Sequence, residues 1–187
     1  TGAVGQPLAE PIVVQVTDQS GNTLSGVAVT WTVVSGGGSV STSASTTDAN
    51  GNASVVWTLG NASGTQQLSA SIVTGASATI SATATPAAAA GMSIASGNNQ
   101  TIAIGATSAP MVVHIADQFG NPIAGVTVNW ATSGGMLSAA SNATDANGDA
   151  SVTLSTNGVV PASLPAVFTV TASSGALASQ TFTITAE

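Results

Sequence analysis

Apolar residues recur at every second position over much of this chain. Val27, Val29, Trp31 and Val33 alternate with Ala28, Thr30 and Thr32. Ala53, Val55, Trp57 and Leu59 form a second such set, and Ile12, Val14 and Val16 a third. A strand sends successive side chains to opposite faces, so each run has one face for a core and one for water. No window carries the i, i+3, i+4 spacing of an amphipathic helix. The pattern predicts an all-β chain of antiparallel sheets packed face to face.

The pattern then repeats. VQVTDQSGNTLSGVAVTW at 14–31 is matched by VHIADQFGNPIAGVTVNW at 113–130, and TTDANGNASVVWTL at 46–59 by ATDANGDASVTLS at 143–155. SGGGSVS at 35–41 faces SGGMLS at 133–138. The inward sets follow: Val126, Val128 and Trp130; Ala150, Val152 and Leu154; Met111, Val113 and Ile115. By the same matching, Leu68, Ala70 and Ile72 align with Phe168, Val170 and Ala172, and Ile80 and Ala82 with Phe182 and Ile184. A unit of about 98 residues recurs, close to the size of a seven- or eight-stranded sandwich. The expected division is residues 1–88 and 89–187, with a short Pro- and Ala-rich connector at TPAAAAG. So brief a linker predicts two sandwiches lying end to end.

The two units differ at their start. MSIASGNNQ at 92–100 reads as the first strand of the second unit. Aligning Thr101–Gly105 with Thr1–Gly5 leaves the first unit without an equivalent, so its opening strand is truncated. An unpaired strand edge is a template for strand addition. The expected contact with another copy is therefore near Thr1, Val4 and Gly5, close to Phe182 and Ile184 of a preceding subunit. Phe119, at the tip of DQFGN where the first unit has Ser20, is a further interface candidate, with folding back onto its own sandwich edge as the plainer reading.

Charge narrows the function. The chain has no Lys, no Arg, and a net charge of −7. Phosphate binding needs cationic side chains, which argues against nucleic acid, and anionic lipid surfaces are excluded on the same ground. No apolar run approaches the roughly 18 residues of a membrane helix. There is no Cys, so neither a disulfide nor a thiolate metal site can form. The start at Thr1 rather than Met reads as a mature or excised product whose targeting segment is not seen.

Few residues carry candidate chemistry. Asp48, Asn50 and Asn52 in one TDANG turn, and Asp145, Asn147 and Asp149 in the other, present oxygens at alternate positions like the start of a calcium loop. Glycine stands at the fourth position rather than the sixth, and no Glu follows at the twelfth. The competing reading is a turn capped by its own Asp, with Gly51 and Gly148 at positive φ. His114, the lone histidine, answers Gln15 on an outward face and has no evident companion ligand or nucleophile. Trp31, Trp57 and Trp130 fall on inward phases and read as core rather than as a sugar platform. All five Asp lie in turn motifs, so no converging catalytic carboxylates are expected. No enzyme activity and no cofactor follow.

Together, VGQPLAEPIVVQVTDQSGN, LSGVAVTW, GGGSVS, TTDANGNASVVWTLG and GTQQLSAS resemble the bacterial immunoglobulin-like domain of group 1 (Big-1), the repeat of invasin- and intimin-like surface proteins. The resemblance spans nearly the whole chain, once per unit. It implies an immunoglobulin-like β-sandwich, no catalytic residues and a place at the bacterial cell surface. The function it implies is a rigid stalk or spacer in an adhesin. A self-assembling subunit of a filament or surface layer and a polysaccharide- or protein-binding module stand as alternatives. The expected partners are neighbouring immunoglobulin-like domains or copies of the chain.

Overall fold

The computed structural model describes all 187 residues and contains strands, turns and no helix. It divides into two compact units, Thr1–Ala87 and Ala88–Glu187.

In unit 1 the strands are β1 (Gly2–Ala3), β2 (Ile12–Gln15), β3 (Ala28–Ser35), β4 (Gly38–Val40), β5 (Ala44–Thr46), β6 (Asn52–Val55), β7 (Trp57–Leu59), β8 (Gly64–Ile72) and β9 (Ser77–Thr85). One sheet runs β1-β9-β8-β3-β5, and the pairs β2-β6 and β4-β7 supply the opposing layer. Val29, Trp31, Leu68, Ala70 and Ala82 from the first sheet meet Ala53, Val55, Trp57 and Leu59 from the second in a single core. Alternation produces this directly: β3 is buried at Val29 and Trp31 and exposed at Ala28, Thr30 and Thr32.

Unit 2 repeats the plan with β10 (Ala89–Ser96), β11 (Gln100–Ile102), β12 (Met111–Asp117), β13 (Thr127–Thr132), β14 (Met136–Leu137), β15 (Ser141–Ala143), β16 (Asp149–Val152), β17 (Leu154–Ser155), β18 (Ala166–Ser173) and β19 (Gln180–Ala186). Its sheets are β11-β19-β18-β13-β15, β10-β12-β16 and β14-β17. Met111, Val113, Ile115, Trp130, Val152, Leu154, Phe168, Phe182 and Ile184 lie in its core.

One expected alignment shifts. Trp31 stands opposite Ala70 and Leu68 opposite Ile80. Trp130 stands opposite Ala172 and Val170 opposite Phe182. Leu68 therefore matches Val170 rather than Phe168, and the position of Phe168 is held in unit 1 by Gln66. The inward phase is unchanged, because a two-residue slip preserves the face.

The opening strand of unit 2 is split between layers. β10 pairs antiparallel with β12, while β11 pairs parallel with β19. Unit 1 has the second half only: β1 pairs parallel with β9, with Gly2 opposite Ala84 and Ala3 opposite Thr85. Nothing in the unit occupies the place of β10, and β2 is bonded on one side, to β6.

Candidate functional site

The acidic turns are built alike in both units. Asp48 Oδ1 accepts from the backbone N–H of Asn50 and Asn52 at 2.8 and 2.9 Å. Asp145 Oδ1 accepts from Asn147 and Asp149 at 2.8 and 3.0 Å. Gly51 and Gly148 adopt φ of 77° and 78° and close the turns by donating to the Asp48 and Asp145 carbonyls. Such a φ strains any residue with a Cβ, and a Cβ at either glycine would also press on the Val16 or Ile115 carbonyl. The threonine that opens each hexapeptide is buried. Thr47 Oγ1 donates to Leu24 O and accepts from Val27 N–H, and Thr144 Oγ1 does the same with Ile123 O and Val126 N–H. The TDANG text thus recurs as a latch and a capped turn. The second acidic loop, DQSGN or DQFGN, follows suit: Asp18 Oδ1 accepts from Ser20 and Asn22 N–H, and Asp117 Oδ1 from Phe119 and Asn121 N–H.

Hydrogen bonds donated to a carboxylate favour its ionised form, and they do so at Asp145 and Asp18. Asp145 is held below the usual aspartate range by the Asp149 N–H first, then the Asn147 N–H, with His114 adding a smaller electrostatic pull. Asp18 is lowered chiefly by the Asn22 side-chain amide, then by the Asn22 backbone.

His114 is not without a companion, contrary to the sequence expectation. It stands opposite Asp149 across β12 and β16, with Nδ1 2.8 Å from Asp149 Oδ1. The same register in unit 1 pairs Gln15 with Asn52. That double exchange, Gln and Asn for His and Asp, was the signal available in the sequence, but it needs the strand register to be seen. Both partners are about one-third exposed, and the contact is a surface hydrogen bond between imidazole and carboxylate.

The three tryptophans are core residues. Trp31 Nε1 donates to Ser45 Oγ and Trp130 Nε1 to Asn142 Oδ1. Trp57 is fully buried and its indole N–H has no hydrogen-bond partner. All three indoles sit inside a core, where a sugar cannot stack on them.

The interface candidates separate into two groups. Val4, Phe182 and Ile184 are buried, so their side chains have no surface to offer a partner, and the expectation is corrected on that point. The backbone around Thr1–Gly5 is also engaged within unit 1: Val4 N–H donates to Thr85 O and Gly5 N–H to Gly60 O. Phe119 is 41% exposed at its loop tip.

Sequence reasoning missed Gln66. It is buried among apolar neighbours, accepts from Gly60 N–H at 2.8 Å and donates to Gly60 O and Ala62 O at 3.2 and 2.8 Å. It braces the turn after β7 from inside the sandwich, where unit 2 has Phe168 against Gly134.

Two tandem sandwiches whose recurrent motifs all serve turns and cores meet a matching family model twice. The model for the bacterial Ig-like domain (group 1) matches residues 8–86 and again residues 91–186. The chain belongs to this family. No curated protein matches it. Among solved structures, Yersinia pseudotuberculosis InvD matches at 20% identity with a TM-score of 0.60, covering 100% of this chain and 55% of that one. FdeC, an Escherichia coli adhesin, matches at 18% identity and a TM-score of 0.54, covering 99% and 60%. The D0-D1 domains of intimin match at 21% identity and a TM-score of 0.40, covering 100% and 92%. The likeness to InvD and FdeC is one of fold, and this bacterial Ig-like pair spans little more than half of each.

Proposed function

We propose that this bacterial Ig-like pair is a non-catalytic structural repeat of an extracellular bacterial surface protein, serving as a rigid stalk or spacer in an adhesin. The observation that carries this reading is the double family match on a chain whose repeated polar motifs are all committed to its own turns. Asp48, Asp145, Asp18 and Asp117 accept from the backbone of their own loops, and Thr47 and Thr144 tie adjacent segments together. A net charge of −7 without a single cationic side chain suits a solvated external surface. FdeC, which shares the fold, is described as an adhesin.

The test is an immunoblot of the source cells with an antibody against the chain, combined with protease shaving of intact cells. A polypeptide far larger than 17.8 kDa that shaving removes supports a spacer. A species near 17.8 kDa recovered from filaments or sheets points to a self-assembling subunit and sinks the spacer reading.

A further inference from the structure

Asparagine stands before glycine at three places: Asn50–Gly51, Asn147–Gly148 and Asn157–Gly158. This order of residues carries a chemistry of its own. The glycine nitrogen is not shielded by a Cβ, and it lies within reach of the asparagine side-chain carbonyl carbon. Two conditions govern its attack there. The nitrogen must be free of other hydrogen bonds, and the main chain must have room to bend into a ring.

In the TDANG turns both conditions fail. Gly51 N–H donates to Asp48 O and Gly148 N–H to Asp145 O, each at 3.0 Å. Their carbonyls are tied as well, accepting from Val16 N–H and Ile115 N–H at 2.8 Å. Both glycines are buried, and the Asn50 and Asn147 backbones are fixed by N–H bonds to the Asp48 and Asp145 carboxylates. Asn157–Gly158 is the opposite case. Thr156 is buried and bonded to Gly105 and Ala106. Beyond it the chain turns in the open, closed by Val159 N–H donating to Thr156 O at 3.1 Å. Asn157 and Gly158 are both exposed. Neither the Gly158 N–H nor its carbonyl bonds to another protein group, and the Asn157 side-chain amide is free. A Cβ at Gly158 would meet nothing within 4 Å.

We propose that Asn157 is a modification site, which deamidates without an enzyme while the chain stays folded, and that the fold protects the two TDANG asparagines. The Gly158 amide gives its proton to solvent base, and its nitrogen attacks Asn157 Cγ. The N–Cγ bond forms, the Cγ–Nδ2 bond breaks, and Nδ2 takes a proton from solvent and leaves as ammonia. The cyclic imide then takes up one water, which opens it on either side to aspartate or isoaspartate. Water is consumed, ammonia is released, and nothing is oxidised or reduced. The product adds one negative charge to a chain of net charge −7 with no Lys or Arg to offset it. Isoaspartate also routes the main chain through Cβ. The exposed turn can absorb that extra carbon, since only the Val159 N–H to Thr156 O bond closes it. The inference concerns unit 2 alone and does not rest on the stalk reading.

The experiment ages the full chain in mildly alkaline buffer, both folded and in concentrated urea. Each asparagine is then followed by mass spectrometry of peptic peptides, since trypsin has no Lys or Arg to cut at. Isoaspartate is read by methyl transfer from labelled S-adenosylmethionine with an isoaspartyl methyltransferase. In the folded chain Asn157 should convert about ten-fold or more faster than Asn50 or Asn147, because each of those must first break the bonds that close its turn. In urea the three rates should converge. Asn157→Gln, which can cyclise only through a larger ring, should remove the early acidic band on isoelectric focusing. Equal rates at the three sites in the folded chain, faster conversion at either TDANG turn, or an early acidic band that survives Asn157→Gln overturns the proposal. So does a rate order that persists in urea, since local sequence rather than the fold then sets it.

Discussion

Trp130 shows what a single core side chain carries in this fold. It is nearly buried, donates from Nε1 to Asn142 and lies 6.1 Å, centroid to centroid, from the Phe182 ring in a tilted arrangement. Trp130→Ala leaves a large cavity and should cost unit 2 about 3–5 kcal/mol in denaturant unfolding. His114→Ala removes only a partly solvated contact with Asp149 and should cost less than about 1 kcal/mol. The reverse order would mean that the strand phase is wrong. Asp145 sets a pH dependence. Its folded-state value lies below the ordinary aspartate value of about 3.9, so its contribution is present above that value and lost as pH falls through the depressed one. The melting temperatures of the parent and of Asp145→Asn should therefore differ by a constant amount above about pH 5 and converge in acid. A gap that persisted at the lowest pH would assign the effect to something other than ionisation. The buried and exposed assignments were legible because alternation fixes phase at once. The His114–Asp149 and Trp130–Asn142 contacts were not, because both need a partner strand and its register.

Among the elements, the recurring hexapeptide was legible as a turn but not as a latch. Its Asp and Gly carry local signals, whereas the Thr acts on a segment some 20 residues away in sequence. Thr144→Val keeps the side-chain shape and removes a hydroxyl that both donates to Ile123 O and accepts from Val126 N–H. Leaving two part-buried backbone groups unmatched should cost about 1–3 kcal/mol, read from the shift in the urea midpoint at unchanged slope. An unaltered midpoint would show that water replaces the hydroxyl. Gln66 illustrates the opposite failure of legibility. A glutamine within an alternating run reads as an outward residue, yet GTQQLSAS buries Gln66 and turns Gln67 outward. Gly60 and Ala62, in the turn after β7, supply the bonding groups that satisfy the buried amide, and a Cβ at Gly36 would collide with the Gln66 side chain. The split opening strand was half legible. The alignment matched Thr1–Gly5 to Thr101–Gly105, but the strand with one bonded side is Ile12–Gln15 rather than Thr1–Gly5, because β1 pairs with β9.

At the scale of the whole molecule, the absence of Lys and Arg leaves the chain without a Lys or Arg ion pair, and His114–Asp149 is the one imidazole–carboxylate contact. Stability rests on burial and hydrogen bonds, and screening acts mainly on exposed charges. Raising sodium chloride from low to physiological ionic strength should leave the melting temperature nearly unchanged or raise it slightly, as repulsion among like charges is screened. A marked fall would reveal attractive electrostatics that the structure does not contain. The parallel pairing of the first and last strands has a mechanical consequence. In unit 2, Thr101 lies beside Thr185 and Ile102 beside Ala186; in unit 1, Gly2 lies beside Ala84 and Ala3 beside Thr85. Two parallel neighbours pulled from opposite ends of a domain slide past one another, so their hydrogen bonds are loaded in shear together instead of unzipping singly. In unit 2, Ile104 N–H to Glu187 O and Glu187 N–H to Ile102 O lengthen that seam. Stretched between its ends in an atomic force microscope, the chain should yield in two separate ruptures. Unit 1, with the shorter seam, should give way at the lower force.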